Sequence, residues 1–221
     1  MIYLDREEAG RELAQAVSRA APAPPVLVLA LPRGGLPLGL EVARALDSPL
    51  DVLVVRKIGM PGQRELAIGA IATGDVVLRN PGVPARWLDE AGFAELVAQE
   101  RRELLRREQA YRGSLAPLDL QGRAVVLVDD GIATGATMLV AVQAARRGGA
   151  REVIVAAPVA STEAARALRA AADAVVFLDV PPDLQAVGQY YARFDQLQDA
   201  DVLDILRRSR QHAGKARRND D

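Results

Sequence analysis

The chain has 221 residues, half of them hydrophobic and 26% charged, which suits one globular domain with a full core, or one domain carrying a small subdomain. A net charge of −1 gives no global attraction to nucleic acid or an anionic membrane, and no apolar run approaches the ~20 residues that span a bilayer. There is no cysteine, hence no disulfide, thiol nucleophile or thiolate metal site, and Asp5, Arg6, Glu7 and Glu8 rule out a signal peptide at the start; a cytoplasmic location is the default expectation.

Asp5 to Ala20 has the spacing of an amphipathic helix, with Leu13, Ala16 and Val17 on one side, and the Pro22-Ala23-Pro24-Pro25 run ends it. Val26 to Ala30 reads as a strand, Leu31 to Gly35 as a loop and Leu36 to Leu46 as a helix. Asp51 to Val55 is the next strand. Arg56 to Arg79 lacks helical periodicity, and Leu66 to Ala72 with Val76 to Leu78 are expected as a hairpin around Thr73-Gly74-Asp75. Pro81 to Pro84 breaks the chain. Ala85 to Arg112 is helical, expected as two helices joined near Gly92, with a solvated Arg/Glu-rich face from Glu100 to Glu108.

Arg123 to Val128, Glu152 to Ala157 and Ala174 to Leu178 complete the strands, with helices between them, and Asp199 to Arg208 is a last short helix. Five strands alternating with helices predict an α/β fold with a mainly parallel central sheet and right-handed crossovers. Residues 1–208 are expected as one domain: a core at about 26–178, an insertion at about 81–115 and a C-terminal hood at about 179–208. Residues 209–221 read as a polar, disordered tail. It holds the only histidine, His212, which is a poor catalytic candidate there.

One stretch carries more chemistry than the rest. Val125 to Val128 end in two acids, Asp129 and Asp130; Gly131-Ile132-Ala133-Thr134-Gly135-Ala136 follow, and a helix begins near Thr137. A strand, a small-residue loop and a helix N-terminus make an anion site, because unpaired N–H groups and the helix dipole converge. Two carboxylates beside it can accept hydrogen bonds from vicinal hydroxyls, so the arrangement suits a sugar phosphate. Arg33-Gly34-Gly35, after the first strand, offers a guanidinium and backbone N–H groups at a second helix start, which suits a pyrophosphate. Arginine supplies 26 of the 28 cations, so Lys57, placed after a strand and beside Arg56, stands out. Ligands of such sheets bind beyond the carboxyl ends of the strands, where all three segments are expected. Ala72-Thr73-Gly74-Asp75 echoes the phosphate loop, but no helix follows it.

The stretch from Val125 to Thr137 resembles the phosphoribosyl pyrophosphate (PRPP) signature of the type I phosphoribosyltransferases. The resemblance implies that fold, with a small hood and insertion subdomain, and it spans about residues 26–178. It implies that Asp129 and Asp130 hold the ribose hydroxyls, that Gly131 and Ala133, Thr134, Gly135, Ala136 and Thr137 wrap the 5-phosphate, and that Arg33, Gly34 and Gly35 meet the pyrophosphate. Lys57 and Arg56, with Asp129 and Asp130, are the implied catalytic groups. The implied reaction is transfer of the 5-phosphoribosyl group from PRPP to a nitrogenous acceptor, with release of pyrophosphate. Mg2+ would bind through the pyrophosphate and ribose hydroxyls, with no dedicated protein metal site.

Ile58 to Asn80 is the expected lid over the site, with Gly59, Gly62 and Gly69 absorbing its motion and Arg64 and Glu65 as lid-borne contacts. Relatives acting on 6-oxopurines carry an acid at the position of Ala133, so hypoxanthine and guanine are disfavoured as acceptors. Val180 to Gly188 looks like the purine enzymes' base-binding hood but has Gln185 where an aromatic would stack. Tyr190, Tyr191 and Phe194 lie near, as a stacking platform or as the hydrophobic seal of the subdomain, with packing the favoured reading. The expected partners are PRPP and a small-molecule acceptor, with no membrane, nucleic acid disfavoured and a homodimer left open. The rival is a PRPP-binding sensor without turnover. Neither Gly-x-Gly-x-x-Gly nor a P-loop occurs, which disfavours dinucleotide and NTP-hydrolysing readings.

Overall fold

The computed structural model describes residues 2–80, 83–84, 89–113 and 117–219, without the side chains of 64–66 and 212–219. Five parallel strands form the central sheet: β1 (Val26–Ala30), β2 (Leu50–Val52), β6 (Ala124–Val128), β7 (Glu152–Val159) and β8 (Ala174–Asp179), in the order β2-β1-β6-β7-β8. The two central strands β1 and β6 are buried at every residue, which explains their unbroken apolar runs. Their side chains alternate between two cores. Val26, Val28, Val126 and Val128 face the side of α1 (Arg6–Ala20), α2 (Gly35–Ala45) and α6 (Asp199–Asn219). Leu27, Leu29, Val125 and Leu127 face α4 (Ala136–Arg147) and α5 (Thr162–Ala171).

This order places the functional loops. From β1 the chain passes through α2 to β2 on one side, whereas β6, on the other side of β1, leads through α4 to β7. The loops after β1 and β6 therefore leave adjacent strands at the point where the winding reverses, the usual ligand crevice of an open parallel sheet.

A second sheet, antiparallel, joins β3 (Val55–Met60), β4 (Gln63–Ala72) and β5 (Val76–Arg79) and lies between α3 (Glu90–Arg112) and α4. Here the expectations need correction. The predicted strand Asp51 to Val55 stops at Val52, and Val55 already begins β3; the apolar run Leu53-Val54 carries the chain from one sheet to the other. The hairpin around Thr73-Gly74-Asp75 is present but gains β3 as a third strand. Gly69 is no hinge: a Cβ there would lie 2.5 Å from the Leu78 carbonyl and 3.1 Å from the Phe93 ring, so it marks close packing inside the sheet. Arg64 and Glu65 have side chains outside the described residues.

The expected pair of helices before Arg112 is one helix, α3. Gly92 sits in its first turn, donating its N–H to the Asp89 carboxylate at 2.8 Å, and so belongs to the cap and not to a break. The segment 85–88 lies outside the described residues. The tail expected to be disordered continues α6 to Asn219, because no proline interrupts a run rich in Arg.

The hood after β8 is bound to the N-terminus. Tyr3 N–H donates to the Tyr190 carbonyl at 2.8 Å, Ala192 N–H to Tyr3 at 2.7 Å and Arg193 N–H to Leu4 at 2.9 Å. Among the described residues, no helix is long and apolar enough to cross a membrane.

Candidate active site

Beyond the carboxyl ends of β1 and β6 the two signature loops touch. Gly35 opens α2 directly over β6; a Cβ on it would lie 2.4 Å from the Val128 carbonyl oxygen. A Cβ on Gly34 would lie 2.1 Å from Asp130 Oδ2, so only glycine lets this backbone reach the carboxylate. Of the two glycines, only Gly34 keeps its N–H without a protein partner among the described residues. Gly35 N–H is spent on the Leu31 carbonyl at 3.0 Å and Leu36 N–H on Arg33 at 3.3 Å, while Pro37 has none. Among the described residues, the N–H groups of Arg33 and Gly34 carry no protein partner. Arg33 itself is one-third exposed and lies 3.8 Å from Asp199, whose carboxylate also accepts from the Tyr111 hydroxyl at 2.7 Å.

The loop after β6 leaves backbone N–H groups open at the start of α4. Gly135, left-handed at φ 73°, is the N-cap of α4 and supplies no side-chain hydrogen bond to it. The first intrahelical donor is Leu139, to Gly135 at 2.9 Å. Ahead of it, Thr137 and Met138 N–H have no protein partner among the described residues, and Ala136 N–H has only Thr134 Oγ1 at 3.5 Å. Ala133, Thr134 and Ala136 are exposed at the loop's rim. From behind, Ser161 holds the loop: its Oγ donates to the Ala133 carbonyl at 2.6 Å and accepts from Ala164 N–H at 3.0 Å as the cap of α5. Ile132 and Ser161 exchange further backbone bonds with β7 and the loop at 2.9 Å each.

The acid pair sits between the two loops. Burial pushes the Asp129 carboxyl well above the usual carboxylate range, and the Asp130 charge adds to the shift. Asp129 Oδ1 accepts the Asp130 N–H at 2.9 Å. Burial also raises Asp130, but the Arg6 guanidinium opposes it from 2.8 Å. The hood closes on the pair: Val187 packs so tightly on Gly131 that a Cβ there would meet its methyl at 2.3 Å, and the Tyr191 hydroxyl donates to the Asp130 carbonyl at 2.5 Å. Tyr191 and Phe194 stack with ring centroids 5.0 Å apart, and Tyr191 also contacts the Tyr3 ring. These aromatics seal the hood onto the core.

Arg33, Gly34, Gly35 and the run from Asp129 to Thr137 are thus brought together. Arg56 is not with them. It lies inside β3, where it pairs with Glu100 of α3 at 2.7 Å. Neighbouring Lys57 is exposed and takes the opposite face, with Ala70, the face that packs towards α4. Adjacent residues of one strand point to opposite sides, so Arg56 turns toward α3 and Lys57 toward the α4 side. Sequence reasoning missed Arg6 and Ser161. Ser161 carried a signal, as an N-cap residue before Thr162-Glu163; Arg6 looked like a solvated charge in a first helical turn.

Beside the phosphate loop a cleft of about 1010 Å3 runs between α5 and the hood, lined by Ala133, Thr134, Glu163, Arg166 and Pro182 to Gln185. Among the described residues, no aromatic side chain lines it.

Comparison with known proteins agrees with this geometry. The family described as phosphoribosyl transferase domain matches residues 2–191. Two Mycobacterium tuberculosis proteins, each named "Putative phosphoribosyl transferase", are 43% identical over 216 residues, 97% of this chain but 48% of their own length. The chain therefore spans about half the length of those curated relatives. The crystal structure of a Thermus thermophilus protein, TT1426, superposes with a TM-score of 0.82 at 44% identity, covering 93% of this chain and 98% of that one. The chain belongs to the phosphoribosyl transferase family.

Proposed function

We propose that the chain transfers the 5-phosphoribosyl group of PRPP, as its Mg2+ complex, to a nitrogenous acceptor of the nucleobase class and releases pyrophosphate. The observation that carries this reading is the contact between the two loops: the Arg33–Gly34 backbone rests on Asp130, one strand from the uncapped start of α4. That spacing supports a reading with a site for one phosphate, a diol acceptor and a second anion site in a row.

In this reading the 5-phosphate takes the free N–H groups of Thr137 and Met138 and the Thr134 and Thr137 hydroxyls. Asp129 and Asp130 accept the ribose hydroxyls. The C1–oxygen bond to pyrophosphate breaks as the acceptor nitrogen forms the new C1–nitrogen bond, and the acceptor's proton passes from that nitrogen to the departing pyrophosphate or to water. Arg33, the Arg33 and Gly34 N–H groups and Lys57 oppose the charge growing on the leaving pyrophosphate. Mg2+ would ride on the substrate, beside the acid pair, because it often binds through few carboxylates plus substrate phosphates. It would supply further neutralisation of the leaving group.

The acceptor would enter through the cleft beside Ala133. Ala133 has no group to exchange a proton with a base, and among the described residues no ring in the cleft would stack on a purine, so hypoxanthine and guanine fit it poorly. The test is calorimetric titration with PRPP and Mg2+, followed by assay of pyrophosphate release with a panel of bases. Binding with release for one base is expected and names the acceptor. Binding without release from a panel of bases and small amines would favour a PRPP sensor, and absence of binding would overturn the reading.

A further inference from the structure

Arg6 stands 124 positions before Asp130 in sequence and is the first residue of α1, yet its Nε donates to Asp130 Oδ2 at 2.8 Å. The contact is enclosed, with the two side chains only 12% and 14% exposed. The guanidinium is also fixed at its other end. Its Nη1 donates to the Asp195 carbonyl at 2.8 Å, and its carbon lies 3.9 Å from the centre of the Phe194 ring and 5.9 Å from that of Tyr191. Tyr191, stacked on Phe194, reaches the Asp130 backbone carbonyl with its hydroxyl. One arginine therefore links the first helix, the hood and one of the two acids at the end of β6.

We propose that Arg6 is a positioning residue of the ribose site, fixing the Asp130 carboxylate for the sugar hydroxyls and coupling its orientation to the seating of the hood. The inference rests on the reading of Asp129 and Asp130 as the ribose acceptors. Arg6 engages Asp130 through Oδ2, and the planar guanidinium on an aromatic ring allows that oxygen little rotation. A lysine has no fork to span Asp130 and the Asp195 carbonyl together. The charged groups facing Asp130 are Arg6 from α1 and Asp129 from its own strand end, with the phenol of Tyr191 above from the hood; Asp5 and Arg193, paired to each other, flank Arg6. Arg6 is the one cation among them that lowers the Asp130 carboxyl, so losing its charge makes Asp130 hold its proton to higher pH.

The test compares Arg6→Gln and Arg6→Lys with the unaltered chain, by calorimetric titration with PRPP and Mg2+ across pH and by carbon-13 NMR titration of the aspartate carboxyls. For Arg6→Gln the expected results are PRPP affinity about tenfold weaker, the size of one charged hydrogen bond, and an Asp130 midpoint moved to higher pH. The affinity loss should grow as pH falls. Arg6→Lys should restore the midpoint and only part of the affinity, since it keeps the charge without the fork. A purely structural role would lower the melting temperature of both variants and leave the Asp130 midpoint and the PRPP affinity where they are, which would overturn the proposal. If the unaltered chain binds no PRPP, the ribose reading fails and takes this one with it. If it binds and Arg6→Gln binds as well at every pH, the role of Arg6 alone fails.

Discussion

The acids at the end of β6 are costly to hold. Asp129 is half-buried beside a second carboxylate, and both desolvation and that neighbour raise its pKa in the folded chain. A carboxyl raised in this way binds its proton more tightly folded than unfolded. Its contribution to stability is therefore fully present below the unfolded value and lost as pH rises through the folded one. Asp129→Asn removes the charge while its amide oxygen can still accept the Asp130 N–H. The variant should be more stable than the unaltered chain at neutral pH, by about 1 kcal/mol, and the gain should shrink as pH falls toward ~4. It should also lose PRPP affinity. Denaturant melts at several pH values together with calorimetry check both; a variant that is less stable at neutral pH would show that the acid is held for packing. Gly34 gives a complementary case. Its φ of −59° and ψ of −36° suit any residue, so Gly34→Ala tests space and not backbone freedom. The methyl must displace Asp130 Oδ2, with an expected loss of about 1–3 kcal/mol and of PRPP binding, read by thermal melts and titration. Unchanged binding would mean that Asp130 can move aside without harm to the site.

At the scale of elements, the phosphate loop depends on a neighbour. Ser161 caps α5 and donates to the Ala133 carbonyl, so Ser161→Ala frees one helix end and one loop carbonyl together. The expected cost is about 1 kcal/mol in denaturant melts, with weaker binding of inorganic pyrophosphate or PRPP in titration. Equal binding would confine Ser161 to its capping role. The elements also show what a sequence reveals. The central strands β1 and β6 were legible because a strand buried on both faces is a continuous apolar run. The edge was not: Leu53-Val54 is as apolar as a strand but turns the chain between two sheets, and nothing local marks that turn. α3 was split at Gly92 because glycine weakens a helix interior, whereas here it lies in a capped first turn. The site followed the same rule. Asp129 to Thr137 lie in one uninterrupted stretch, and their pattern of acids, small residues and helix start is visible without knowing the fold. Arg6 joins them only through tertiary packing, and Arg56 leaves them only because strand alternation turns it to α3.

On the scale of the molecule, the two cores lie on opposite faces of one sheet, and the interiors of β1, β6, β7 and β8 serve both. The antiparallel sheet is no separate body in this respect, since Ile58, Ile68 and Ile71 join one core while Ala70, Ala72 and Val76 join the other. The hood is likewise bound to the first residues of the chain by three backbone hydrogen bonds. Such sharing predicts one cooperative thermal transition for this chain, observable by scanning calorimetry as a single peak whose calorimetric and van't Hoff enthalpies agree. PRPP with Mg2+ should move the whole peak upward, because the ligand would bridge loops from β1 and β6 and bind only the folded chain; at a hundredfold excess over its dissociation constant the gain is about 2.7 kcal/mol. An earlier, separate peak that PRPP leaves in place would assign independent stability to the β3–β5 sheet with α3. That would restore to the segment the mobility expected of a lid, despite the close packing at Gly69.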